Sequence, residues 1–218
     1  MKDSITIHDV ISTFREQRPN ITEEDCDEIE LACEFAEEAH RGQLRKSGEP
    51  YITHPLRTAK RLAEMNMDLP TLIAGLLHDV PEDTTRTIED IDKAFGREVA
   101  ALVAGVTKLG KIKYRGVDRY TENLRRMFVA MAQDIRVIII KFADRIHNLE
   151  TLEYLAPEKQ KRIASESLEI YAPIANRLGI GSLKGEIEDL AFRFVFPEEY
   201  TWVSEFSKDI IKHKEKIL

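Results

Sequence analysis

The chain has 218 residues, enough for one domain with a sizeable core or one domain with an appendage. Its 43% hydrophobic and 33% charged residues are the ordinary balance of a soluble globular protein. A net charge of −7 argues against a general nucleic-acid binder, and no apolar run approaches the roughly 18 residues of a membrane-spanning helix.

Almost every segment reads as helix. Ile5, Val10, Ile11 and Phe14 predict a short first helix. Thr22-Glu23-Glu24-Asp25 is a helix-start signal before a long helix through His40. Gly42, Gly48 and Pro50 make the Arg41 to Tyr51 segment a loop that turns tightly enough to wrap a ligand. Helices follow over about 55–66 (with Pro55 as opening residue), 70–80 and Ile88 to Phe95, the last stopped by Gly96; another covers about 97–107. Leu109 to Val117 reads as a mobile loop, and Arg119 to Ala132 as a helix. The β-branched run from Ile135 to Phe142 would pass for a buried strand, but no partner strand is evident and Asp144 and Asn148 are four apart, so it is assigned as a buried helix. Helices over about 158–178 (ended by Gly179), 183–195 and 198–217 complete the chain. Cys26 and Cys33 lie seven apart on a helix, a spacing that suits neither a redox pair nor a zinc pair, so they read as small packing residues in a reducing compartment. With no N-terminal signal in view, the expected location is the cytoplasm.

Chemistry concentrates in Leu76-Leu77-His78-Asp79-Val80-Pro81-Glu82-Asp83-Thr84. A histidine and an aspartate directly follow an apolar run, and two more carboxylates come within four residues. Unpaired charge is costly to bury, whereas a divalent metal wants an imidazole nitrogen, a carboxylate oxygen and nearby acid groups to handle a water molecule. Glu82 and Asp83, three and four residues past Asp79, are candidates to orient or deprotonate that water; the two roles are assigned jointly. Further ligand candidates are His54, at a helix entry before Pro55, and Asp144, which breaks the apolar run Ile138-Ile139-Ile140. Basic residues cluster at Arg41, Arg45 and Lys46 and again at Lys108, Lys111, Lys113, Arg115 and Arg119, a pattern that suits a small anionic ligand better than a polymer.

The order H…HD…D resembles the HD superfamily of metal-dependent phosphohydrolases. The resemblance narrows to the hydrolase domain of RelA/SpoT-type alarmone enzymes. It is carried by Ala39-His40-Arg41-Gly42-Gln43-Leu44-Arg45-Lys46-Ser47-Gly48-Glu49-Pro50-Tyr51-Ile52-Thr53-His54-Pro55, by the HD segment, by Gly105-Val106-Thr107-Lys108-Leu109, by Lys141-Phe142-Ala143-Asp144-Arg145-Ile146-His147-Asn148, and by Ile170-Tyr171-Ala172-Pro173-Ile174-Ala175-Asn176-Arg177-Leu178-Gly179-Ile180, in that order over roughly residues 25 to 200. It implies an all-α fold, the HD-domain phosphohydrolase helical bundle, over residues 1–196, with 197–218 a helix leading into a nucleotide pyrophosphokinase (synthetase) domain and regulatory domains of a longer chain. It implies hydrolysis of the 3′-pyrophosphate of the guanine nucleotides ppGpp and pppGpp, with Mn²⁺ held by His54, His78, Asp79 and Asp144. Around the nucleotide it places Arg45, Lys46, Ser47, Asn148 and Thr151, with neither nucleic acid nor membrane as partner. Irving–Williams ordering means that the ligand set alone does not separate Mn²⁺ from Zn²⁺ or Fe²⁺.

Two residues depart from the family pattern. Pro81 stands where Val or Ile is common, and predicts a helix that ends near Asp79 with Glu82 on a turn. Glu150 stands where arginine is common, and would weaken anion binding if it pointed inward. Two other readings remain: a phosphohydrolase of the same superfamily acting on another nucleotide, which the Arg45-Lys46-Ser47 segment opposes, and a silent regulatory HD domain beside a synthetase, which would show eroded ligands where this chain has none. Control of hydrolysis through the 109–117 loop is a further expectation.

Overall fold

The computed structural model describes residues 5–110, 125, 127–129 and 131–214. The Lys111 to Arg119 part of the second basic cluster, most of the 109–117 loop and the first part of the expected 119–132 helix lie outside the described residues. Among the described residues the fold is all-α: no strand forms, and the one ladder contact is an isolated antiparallel bridge between Leu44 and Pro50. Among the described residues, no helix is long and apolar enough to cross a membrane.

The chain divides into two compact units after His147. The first opens with α1 (Ile7–Gln17) and α2 (Glu23–Ala39), each started by a capping box in which a threonine and the aspartate three residues on exchange hydrogen bonds: Thr6 with Asp9, Thr22 with Asp25. The hairpin-like loop after α2 leads to α3 (Thr53–Glu64) and α4 (Leu69–Leu77). Thr53, rather than Pro55, is the first residue of α3, so His54 sits in its first turn. Every residue from Thr71 to Leu77 is buried, the mark of a helix enclosed on all sides, and α2, α3 and α6 (Ile88–Gly110) all pack on it. Gly96, at φ 81°, breaks α6 into the two helices the sequence predicts, and the second runs on to Gly110.

The Ile135 segment is helical, as expected, within the helix Arg136–Glu150. Its entrance is clamped by Arg136, which pairs with Asp68 at 2.9 Å, Glu98 at 2.7 Å and Asp134 at 2.7 Å. Asp68 is also the N-cap of α4, so one guanidinium ties the starts of two helices together.

In the second unit the expected 158–178 helix is interrupted. Pro157–Glu166 is α-helical, Ser167–Tyr171 forms a π-turn, and Ala172–Arg177 resumes the α-helix before Gly179 at φ 76°. Pro173 supplies the reason. It has no N–H to give the carbonyl four residues back, and its ring crowds that carbonyl, so the turn before it widens. Gly181–Val195 and Pro197–Lys214 follow.

Candidate functional site

The apolar run of α4 ends at Leu77 because the chain then places a histidine and an aspartate at the edge of the core. His78 caps α4, Asp79 follows, and Val80–Asp83 forms the one-turn helix α5 with Pro81 at its start. Pro81 is therefore accommodated where its missing N–H costs nothing, and Glu82 lies in that single turn.

His78 is 1% exposed. Its Nδ1–H donates to the Gly75 carbonyl at 2.7 Å, and its Nε2 is buried without a hydrogen-bond partner. That nitrogen faces Asp79 Oδ1 at 3.2 Å and Asp144 Oδ1 at 3.9 Å. From α3, His54 Nε2 reaches Asp79 Oδ2 and Asp144 Oδ1, both at 3.3 Å. Ligand atoms of His54, His78 and Asp144 all lie within 4.8 Å of one another. Ligands around one ion at roughly 2.1 Å stand about 3.0–3.5 Å apart, so the spacing fits a shared cation. Bare imidazole nitrogen facing carboxylate oxygen is repulsive unless a proton or a metal lies between them. The residues present thus fit a divalent metal.

The electrostatics follow from the crowding. Burial alone would push His54 down, but the Asp144 and Asp79 carboxylates outweigh it and raise its pKa. Burial alone would raise Asp79, but His78 and His54 hold it below the usual carboxylate range. Asp144 is held well below that range, against burial, first by Lys141, whose Nζ donates to Oδ2 at 2.7 Å, and then by the two histidines. Glu82 is raised, by partial desolvation and by the neighbouring Asp79, Asp83 and Asp144 carboxylates, with Lys141 opposing. A carboxyl raised in this way is suited to proton transfer.

Two residues outside the sequence-derived set belong to this centre. The Tyr51 hydroxyl lies 2.8 Å from both Asp79 Oδ2 and Asp83 Oδ2, joining a candidate ligand to a candidate acid or base; burial and those carboxylates raise its pKa. Its ring stacks on buried His40 at 4.3 Å. His147 stacks on His54 with centroids 4.9 Å apart and approaches it Nδ1 to Nδ1 at 2.6 Å. Burial, His54, Arg45 and Arg57 push His147 down to about 2, so it is neutral at physiological pH. Both had a signal in the sequence: Tyr51 precedes His54 by three residues, and His147 follows Asp144 by three on one helix face.

The nucleotide candidates fall in two places. Arg45, Lys46 and Ser47 occupy a tight turn closed by Gly48 N–H to the Arg45 carbonyl at 2.9 Å, with Gly48 at φ 88°. Arg45 is half-buried, Lys46 is exposed, and Ser47 Oγ donates to Glu49 at 2.9 Å. Asn148, half-buried, lies one turn beyond Asp144 on the Arg136–Glu150 helix; Thr151 falls just past that helix and precedes a 3₁₀ turn, Leu152–Tyr154. Both belong to the second unit.

The HD domain family profile matches residues 32–181. The chain belongs to the HD-domain family, and its domain is of the Rel/SpoT type. Guanosine-3′,5′-bis(diphosphate) 3′-pyrophosphohydrolase of Aquifex aeolicus (strain VF5) is 52% identical over 192 residues, which are 88% of this chain and 27% of the relative. Bifunctional (p)ppGpp synthase/hydrolase SpoT of Escherichia coli (strain K12) is 54% identical over 174 residues, 79% of this chain and 25% of that one. This chain thus spans about a quarter of the length of the curated relatives it matches. A solved structure described as a metazoan ortholog of SpoT that hydrolyzes ppGpp superposes with a TM-score of 0.54 at 25% identity, covering 76% of this chain and 94% of that one.

Proposed function

We propose that this domain hydrolyses the 3′-pyrophosphate of ppGpp and pppGpp, giving GDP or GTP plus pyrophosphate, with Mn²⁺ as its metal. The observation that carries the reading is the buried Nε2 of His78, without a hydrogen-bond partner inside a His/Asp cluster. Its support is a chain more than half identical to proteins named for that reaction. In this reading His54, His78, Asp79 and Asp144 hold the ion. When bound, a divalent ion supplies Lewis acidity and a nucleophile usable near neutral pH.

The remaining steps fall to the chain's own groups. Lys141 fixes the outer oxygen of Asp144, so that its other oxygen faces the two histidines, and Tyr51 holds Asp79 Oδ2, the oxygen that faces His54. Glu82 and Asp83 jointly take the proton from the attacking water and return one to the ribose 3′-oxygen as its bond to phosphorus breaks and pyrophosphate leaves. Arg45 clamps phosphate or stacks on the base, Lys46 adds a point charge, and Ser47, Asn148 and Thr151 hydrogen-bond the nucleotide. Residues 1–196 form the hydrolase domain in this account, and 197–218 lead toward a synthetase domain in a longer cytoplasmic protein. Phosphorus NMR of the products tests the regiochemistry. The reading expects GDP and free pyrophosphate from ppGpp; loss of a single phosphate, or attack at the 5′ side, contradicts it.

A further inference from the structure

We infer that His147 is a positioning residue that commits His54 to presenting Nε2 to the metal, by accepting the proton on His54 Nδ1. The inference rests on the metal-site reading above.

Two imidazole nitrogens 2.6 Å apart are bound to each other only if one carries the proton and the other a lone pair. His54 Nε2 faces Asp79 and Asp144, in the same cluster as His78 Nε2. If Nε2 is a ligand, its lone pair is committed, the proton of His54 sits on Nδ1, and His147 Nδ1 is the acceptor. The two histidines of the cluster are thus oriented by different means. His78 gives its Nδ1–H to a backbone carbonyl, and His54 gives its own to a second imidazole. Metal-bound histidines normally donate their other N–H to a partner of this kind, which sets the tautomer and the basicity of the ligand nitrogen.

The Arg136–Glu150 helix reaches both nitrogens of the His54 ring. Asp144 Oδ1 lies 3.3 Å from Nε2, and His147, one turn on, holds Nδ1. His54 is 1% exposed and His147 3%, so bulk water does not replace the acceptor if it is lost. Without it the His54 proton relocates to Nε2, where Asp79 and Asp144 bind it in competition with the ion.

The test is Mn²⁺ affinity, read from the free-ion electron paramagnetic resonance signal, for the wild-type chain, His78→Ala, His147→Asn and His147→Phe. An asparagine amide oxygen can occupy the place of the imidazole Nδ1, whereas phenylalanine keeps the stacked ring and removes the acceptor. His147→Phe is expected to weaken Mn²⁺ binding about 10–100-fold while His147→Asn stays close to wild type. A packing role gives the reverse order, and that order overturns the inference. Failure of the wild-type chain to bind Mn²⁺, or full binding by His78→Ala, overturns the metal-site reading itself. If His147→Phe does not fold, nitrogen NMR of the wild-type chain loaded with diamagnetic Zn²⁺ decides. A protonated Nε2 and bare Nδ1 on His147 are expected, and a proton on His147 Nδ1 refutes the assignment.

Discussion

Gly105→Ala should destabilise the first unit although alanine is the better helix former. A Cβ at Gly105 would lie 2.7 Å from Val137 Cγ2 and 3.2 Å from Cγ1, against an optimum near 3.5–4.0 Å. Val137 is 4% exposed, and a valine in a helix has essentially one rotamer, so the side chain has no easy escape. The backbone of the Arg136–Glu150 helix must give way instead, and that helix carries Asp144 two turns on. Overpacking costs about 1–3 kcal/mol, a contact this short falls in the upper half of that range, about 2–3 kcal/mol, and the helix-propensity gain offsets about 1 kcal/mol. The net loss is about 1–2 kcal/mol, a fall in Tm of roughly 2–8 °C for a chain of this size. Thermal unfolding followed by circular dichroism checks it, together with the Gly105→Ala/Val137→Ala double variant, in which the new methyl meets vacated space. The double variant should recover part of the combined loss as a favourable coupling. A Gly105→Ala protein as stable as wild type or more so, or losses that simply add, would refute the close-packing argument.

Mn²⁺ at about 100 times its Kd should stabilise the fold by about 2.7 kcal/mol, raising Tm by roughly 5–11 °C, and His78→Ala should abolish the shift; an equal rise in both proteins would point to binding elsewhere. Tyr51→Phe keeps the ring on His40 but removes the hydroxyl shared by Asp79 and Asp83, so pyrophosphate release should drop about 10–100-fold with little change in Tm; unchanged turnover would show that the bridge is idle. The Arg136 clamp should show in the pH dependence of stability. Asp134 is held below the usual carboxylate range chiefly by its hydrogen bonds to Arg136, and Asp68, against its own burial, by Thr71 and Arg136. Depressed carboxylates contribute stability above their unfolded values near 3.9 that is lost as pH falls through the folded ones. Arg136→Met should therefore cost about 1 kcal/mol at pH 7 after solvent screening, with the gap to wild type narrowing in urea titrations as pH falls below the unfolded carboxylate value near 3.9; a gap independent of pH would contradict the assignment.

Local chemistry made much of the fold legible. Thr22-Glu23-Glu24-Asp25 announces a capping box and forms one, Gly96 stops a helix where only a positive φ serves, and the run before Asp144 is helical, as the four-residue spacing of Asp144 and Asn148 suggests. The π-turn at Ser167–Tyr171 was hidden because Pro173 acts on the turn before it while the apolar period continues unbroken. His78-Asp79 stood out because acid residues directly after a core run need a reason. Tyr51 and His147 did not, since a tyrosine and a histidine at helical spacing are only a weak signal until the fold brings α3 and the Arg136–Glu150 helix to one point. Sequence separation hid the cluster in the same way: His54 and His147, 93 residues apart, meet at hydrogen-bond distance only in the folded chain.

The most direct test of the central claim is pyrophosphate release from ppGpp by the folded chain, with Mn²⁺ and with chelator, beside His78→Ala. The account predicts release that requires Mn²⁺, stops with chelator and is lost in the variant. Release that persists in chelator or in His78→Ala, or none from folded wild-type protein with Mn²⁺, would contradict it.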